Sequence, residues 1–187
     1  TEASEILDLI LEDFKGDEEA LYLIADMLSD VEMKNLLLDV AVTGSALRSK
    51  RFLEFRFPLY EPERVCQLAE DHGVCPELVI AVMREESRFH RKAESRAGAL
   101  GLMQITPSTG LWIARMNGEE IEAGQLFEPD LNMRFGAWYI EYLLERSGGS
   151  LIGAISAYNA GFGKLSGWRE RFEPLRNPMI AAELIGI

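Results

Sequence analysis

At 187 residues the chain is long enough to bury a sizeable core as one domain, or as one domain with an appendage. Hydrophobic residues make up 48% and charged residues 27%, with no low-complexity tract, which excludes a disordered or collagen-like chain. The net charge of −12 lacks the basic footprint of a general nucleic-acid binder, so no nucleic-acid partner is expected. Residues 1–50 hold 12 Asp/Glu against 4 Lys/Arg, so most of the acidity belongs to the N-terminal end. No apolar run approaches the roughly 18 residues of a membrane span.

The first 57 residues contain no proline and only Gly16 and Gly44. Ile6, Leu7, Ile10, Leu11 and Phe14 recur at helical spacing. Gly16-Asp17 reads as a stop and a new N-cap, with Glu18 and Glu19 in the favourable first turn. Leu21, Ile24, Ala25 and Leu28 form a second apolar face, and Leu36, Leu37, Val40 and Ala41 a third. The pattern predicts a small antiparallel array of helices over residues 1–57. Pro58 and Pro62 then break the helical run, and a second unit is expected over residues 58–187.

In that second unit Pro62 suits the first turn of a helix running to about His72, and Gly73 ends it. Pro76 opens the next helix, with Leu78, Val79, Val82 and Phe89 on one face. The glycine-rich stretch 92–106 reads as loop with a short extended piece. Pro107 and Pro129 start two further helices, Asn117-Gly118 is a turn, and Gly148-Gly149 precedes a last helix carrying Ala157-Tyr158-Asn159. The expected fold class is all-α with minimal β.

Two carboxylates, Glu85 and Glu86, flank the apolar stripe centred on Val82, and periodicity does not choose between them. The plain alternative is that both are exposed helix-end carboxylates. Cys66 and Cys75 are expected to be small buried thiols, with a disulfide as the other reading. Two Cys and two His give little basis for a zinc site, so no metal or cofactor is expected. His72 sits where a helix C-terminus favours a cation, and neither it nor His90 reads as a catalytic base.

Three motifs stand in order along the chain: Arg84-Glu85-Glu86-Ser87-Arg88-Phe89, Ser95-x-x-Gly98-Ala99-x-Gly101-Leu102-Met103-Gln104, and Ala157-Tyr158-Asn159-Ala160-Gly161. They are joined by Gly73-Val74-x-Pro76-x-Leu78-Val79, by Leu126-Phe127-x-Pro129-x-Leu131-Asn132, and by Gly136-Ala137-x-Tyr139. Together they closely resemble the soluble lytic transglycosylases of bacterial cell-wall metabolism, over about residues 58–185. The resemblance implies a lysozyme-like fold, a peptidoglycan substrate and a periplasmic or cell-envelope location. It implies cleavage between N-acetylmuramic acid and N-acetylglucosamine with a 1,6-anhydro product. Glu86, directly before Ser87, takes the place of the catalytic acid. Ser87, Ser95, Met103, Gln104 and Asn159 take the place of substrate-cleft residues, and Tyr158 that of a tyrosine whose hydroxyl orients the acid. A single acid agrees with a reaction in which the sugar's own 6-hydroxyl attacks, since ordinary glycosidases use two carboxylates.

Two features depart from the family. Glu183-Leu184-Ile185 matches the start of a further cleft element, but Gly186-Ile187 follow in place of its usual continuation, so a cleft role for Glu183 lacks its supporting helix. Gly161-Phe162-Gly163 replaces the commoner Gly-Pro-Gly. Residues 1–57 resemble the end of the helical superhelix that precedes the catalytic domain in large members. The rival readings are a hydrolytic muramidase resembling goose-type lysozyme, and a peptidoglycan-binding scaffold without turnover.

Overall fold

Proline stands at the first position of four helices, where its missing N–H is one that the helix would leave unbonded anyway. These four helices build the frame of the second half of the chain. The computed structural model describes residues 2–31, 33–47, 49–161, 163, 164 and 167. Among the described residues are eight α-helices and two isolated β-bridges, so the all-α expectation holds. Glu183 and Phe162 lie outside the described residues.

Helices α1 (Glu2–Phe14), α2 (Glu18–Ser29) and α3 (Lys34–Ser45) pack on one another as the three apolar faces predict. Asp17 caps α2, its carboxylate accepting from the Ala20 N–H at 3.1 Å. Leu7, Leu11, Leu21, Ala25, Val40 and Phe52 form the centre of this N-terminal core. The apolar stripes are wider than the contacts they make. Ile6 and Phe14 on α1, and Leu23 and Met27 on α2, remain exposed.

Helices α4 (Pro62–Asp71), α5 (Pro76–Ser87), α6 (Pro107–Met116), α7 (Pro129–Arg146) and α8 (Leu151–Ala160) surround a second core. Val65, Leu68, Val79, Met83, Ile113 and Phe135 are fully or almost fully buried there. The central helix is α7, with Asn132, Met133, Phe135, Gly136, Ala137, Ile140 and Leu143 all buried. A helix buried on several sides is the middle of a core and not its cover. Arg64 pairs with Asp130, and His72 Nδ1 lies 2.8 Å from Glu141 Oε2, so both ends of α4 are tied to α7. Leu38 of α3 is buried in this second core, which links the two clusters.

The cysteines correct one expectation. Cys66 and Cys75 are free and exposed, not buried. Cys66 follows Val65 on α4, so the turn that buries Val65 points Cys66 outward. Cys75 precedes Pro76 at the start of α5, and its thiol donates to the Glu77 carboxylate at 2.7 Å.

A Cβ at Gly44 would overlap the ring of Phe52, which is fully buried. Gly44→Ala should therefore destabilise the chain by about 1–2 kcal/mol, the overpacking penalty exceeding the gain in helix propensity. Urea unfolding of the variant beside the wild type measures the difference.

Candidate active site

Along α5, Leu78, Val82 and Glu86 recur every four residues and so share one stripe. Leu78 and Val82 line an apolar crevice with Ile140 of α7 and Ala154, Ile155 and Tyr158 of α8. Glu86 stands at the C-terminal end of that stripe, partly buried. Its neighbour Glu85 is 72% exposed and pairs with Arg84. The two carboxylates that the sequence leaves equivalent are thus in different environments. Among the described residues Glu86 has no hydrogen-bond or ion-pair partner. Burial, and secondarily the charge of Glu85, push its carboxyl above the ordinary glutamate range.

The end of α5 is shaped by two consecutive left-handed residues, Arg88 (φ 52°) and Phe89 (φ 63°). Each non-glycine residue in this region costs about 1–3 kcal/mol, so surrounding contacts must hold it. Phe89 is buried and stacks on Tyr60 at 5.6 Å between ring centroids. Arg88 Nη2 lies 2.8 Å from Asp39 Oδ1 of α3. This double turn sends the chain back from the helix end into the loop of residues 92–106.

The loop folds on itself through backbone bonds. Leu100 and Ile105 exchange N–H and C=O at 3.0 and 3.1 Å, and Gly101 N–H donates to Ala93 C=O at 2.9 Å. Ser95 closes its own turn, donating its N–H to Ala99 C=O and accepting the Ala99 N–H on Oγ at 3.0 Å. Gln104, in the left-handed region at φ 50°, donates from Nε2 to the carbonyls of Ala93 and Gly101. Its side chain is therefore a strut of the loop. Gly101 is required twice. Its φ is +75°, and a Cβ there would lie 2.5 Å from the Leu126 carbonyl oxygen and 2.6 Å from Asn132 Nδ2.

Asn132 is the residue to which sequence reasoning assigned no role. It is fully buried on α7, accepts the Met103 N–H on Oδ1 at 2.6 Å, and donates from Nδ2 to Leu100 C=O at 2.9 Å and Leu126 C=O at 2.7 Å. The available signal was one amide beside the apolar positions Leu131, Met133 and Phe135 in the first turns of α7.

Met103 and Tyr158 are residues whose types suit a core position as well as a cleft one. Met103 is fully buried, and its side chain packs on Gly136, where any added Cβ would come within 2.6 Å of it. The side chain of Met103 thus packs in the core, and Asn132 pins its backbone against α7. The hydroxyl of Tyr158 donates to the Met103 carbonyl at 2.7 Å. Its phenol is held well above its ordinary range by burial, then by the charge of Glu86. Tyr158 also packs on Tyr139 at 5.4 Å. Ser87 is buried, its hydroxyl donating to Met83 C=O at 3.1 Å within α5. Asn159 is exposed one position beyond Tyr158. The arrangement brings together Glu86, Tyr158 and the Met103 backbone. No hydrogen bond among the described residues ties Ser95, Gln104 or Asn159 to Glu86.

Glu86 is thus a half-buried carboxyl with no counter-ion among the described residues, at the end of a stripe that lines an apolar crevice with a partly buried tyrosine, an environment that favours the protonated form. The family model described as the transglycosylase SLT domain matches residues 65–179, and the chain belongs to that family. Among curated relatives, the soluble lytic murein transglycosylase of Salmonella typhimurium is 35% identical over 118 residues, covering 62% of this chain and 18% of that protein. The membrane-bound lytic murein transglycosylase C of Actinobacillus succinogenes is 29% identical over 160 residues, covering 77% of this chain and 42% of that protein. The crystal structure of the 70 kDa soluble lytic transglycosylase from Escherichia coli superposes with a TM-score of 0.74 at 28% identity, covering 83% of this chain and 25% of that one. The lytic transglycosylase Slt of Pseudomonas aeruginosa, solved as an inactive glutamate-to-glutamine mutant, gives 0.72 at 29% identity, covering 81% and 24%. The fold is the all-α, lysozyme-like one. The chain spans about a fifth of the length of the first of these curated relatives.

Two outcomes follow from this geometry. Asn132→Ala should cost about 3 kcal/mol or more, because it strands a buried N–H and two buried carbonyls at once. Thermal unfolding reads the loss. Glu86→Gln should raise stability at neutral pH. The folded state holds the Glu86 proton more tightly than the unfolded chain does. Its contribution is therefore complete below the ordinary glutamate value of 4.5 and is lost as pH rises through the raised one. Gln carries no such loss. The melting temperature of Glu86→Gln should exceed the wild type at about pH 7, and the gap should close toward about pH 4.

Proposed function

We propose that this chain cleaves peptidoglycan glycan strands as a lytic transglycosylase, with Glu86 as the single acid and base. The observation that carries the reading is the environment of Glu86. It stands on a rigid helix, partly desolvated, with no cation among the described residues paired to it. Family membership and relatives named as lytic murein transglycosylases support the same reaction. One of the solved neighbours is an inactive glutamate-to-glutamine mutant, in keeping with chemistry that needs one carboxyl.

In this reading Glu86, protonated, donates its proton to the glycosidic oxygen between N-acetylmuramic acid and N-acetylglucosamine. The C–O bond breaks, and the N-acetyl group of the muramyl sugar stabilises the developing cation. The Glu86 carboxylate then takes the proton of that sugar's 6-hydroxyl as the oxygen closes on C1. The proton is returned, no water is consumed, and the product carries a 1,6-anhydro ring. Intramolecular attack has an advantage of several kcal/mol in favourable geometry. The Tyr158 hydroxyl, committed as a donor to Met103 C=O, keeps lone pairs that can only accept.

Ser95, Gln104 and Asn159 are assigned to the walls that grip the glycan, and Ser87 to fixing the last turn of α5. A place for Glu183 in the cleft rests on the motif alone. Residues 1–57 are read as an acidic helical unit resembling the end of a helical superhelix, supported by their own core and by outward-facing Ile6, Leu23 and Met27. Residues 58–187 are read as the catalytic unit, and the site of action as the bacterial cell envelope. No helix among the described residues is long and apolar enough to cross a membrane.

Glu86→Gln should lower release of soluble fragments from purified peptidoglycan by at least about 10²-fold, whereas Glu85→Gln should stay within a few-fold of wild type. The reverse pattern would move the acid to Glu85. Mass spectrometry of the released muropeptides should find species lighter by one water than reducing-end products. Reducing ends alone would make the enzyme a hydrolase.

A further inference from the structure

Glu86 lies between two arginines, Arg84 and Arg88, each two residues away. A guanidinium within about 4–6 Å of a carboxylate stabilises the ionised form. That is the wrong direction for a group that must carry a proton at neutral pH. Yet both guanidiniums are engaged elsewhere, and much of what engages them comes from residues before Pro58. Arg84 donates from Nε to the Arg56 carbonyl at 2.9 Å, pairs with Glu85, and lies 5.2 Å from the centroid of the Phe57 ring. Arg88 is drawn to Asp39 on α3, with Nη2 to Oδ1 at 2.8 Å.

The position of Asp39 is built in. The preceding residue, Leu38, is buried in the core of the second half, which fixes this turn of α3 against the catalytic half of the chain. The left-handed conformation of Arg88 ends the helix directly after Glu86-Ser87. The charged groups around the pair are few. Asp8 of α1 and Arg88 act on Asp39, and Glu85 and Tyr158 are the titratable groups coupled to Glu86. No cation is among those coupled to Glu86.

We propose that Asp39 is a positioning residue for the acid: by holding the Arg88 guanidinium against α3, it keeps that cation off Glu86 and leaves Glu86 able to carry its proton at neutral pH. The N-terminal helices thereby take part in the chemistry without touching substrate. The proposal rests on the reading of Glu86 as the acid.

A charge cycle on the full chain tests it. Asp39→Asn keeps the shape of the side chain and releases Arg88. The Glu86 carboxyl, followed by carbon-13 NMR, should then titrate at lower pH than in wild type. The alkaline limb of the rate profile should move the same way, with kcat down about three- to tenfold at neutral pH and KM unchanged. Arg88→Gln alone should produce no downward movement, and Asp39→Asn with Arg88→Gln should return the titration to the wild-type position. Asp39→Ser serves as a second release of Arg88, with the same shift expected, and circular dichroism establishes that each variant is folded. An unmoved Glu86 titration in folded Asp39→Asn and Asp39→Ser would overturn the proposal. So would a downward shift that persists in the double variant, since it would then arise from loss of the Asp39 charge itself and not from Arg88. Full activity in Glu86→Gln would instead remove the assignment of the acid, while the carboxyl titration would still report on Asp39 and Arg88.

Discussion

Three hydrogen bonds from one buried amide fix the position of everything around the candidate acid. Asn132 sits at the start of the central helix and binds the loop at Leu100 and Met103 while also holding Leu126, the residue that leads into that helix. Loop backbone brought this close to a helix would otherwise bury unpaired N–H and C=O groups, each costing about 1–3 kcal/mol. The amide satisfies three of them together. It also sets a distance that allows no side chain at position 101, which is why a glycine with positive φ stands there. With the Met103 N–H fixed by Asn132, its carbonyl is aimed at the Tyr158 hydroxyl. The chain of constraint therefore runs from Asn132 through the Met103 backbone to the phenol beside Glu86.

The site combines a fixed frame with a local electrostatic cost. Desolvating Glu86 without a partner disfavours its ionised form, and folding tolerates that only because the rest of the second core is well filled. The two left-handed residues after α5 add strain at the same place. Both costs are met by burial nearby: Phe89 against Tyr60, Met83 and Val79 inside the helix face, and Met103 against Gly136. Expense concentrated at one helix end, compensated by ordinary packing around it, is the pattern of a functional site.

Much of this was legible in the sequence, and what was not has a physical reason. The helix starts were readable because Pro62, Pro76, Pro107 and Pro129 each mark a first turn, and because Asp17 is a capping residue. Glu86 was reached through motif order, since periodicity treated Glu85 and Glu86 alike. Only tertiary packing by α7 and α8 separates them. Where the hydroxyl of Tyr158 and the side chain of Met103 settle was open in the sequence for a related reason. Both depend on a carbonyl or a cavity contributed by an element distant in sequence, and no local pattern encodes where a loop will present its backbone. The cysteines were misjudged from residue type, since Cys is buried on average, whereas helix phase turned Cys66 out.

The same limit of local pattern explains why the N-terminal helices read as an appendage. Their acidity and their separate core argue for independence when taken as composition. In three dimensions Leu38 enters the second core, Asp39 reaches Arg88, and the Arg56 carbonyl receives Arg84. The contacts of Asp39 and Arg56 fall on the last turn of α5 or the residue after it. An acidic unit placed there has an electrostatic consequence beyond solubility. It supplies anionic and carbonyl acceptors to Arg84 and Arg88, the two arginines that flank the candidate acid in sequence. Residues that close a helix end and residues that tune a proton are, in this chain, the same few contacts.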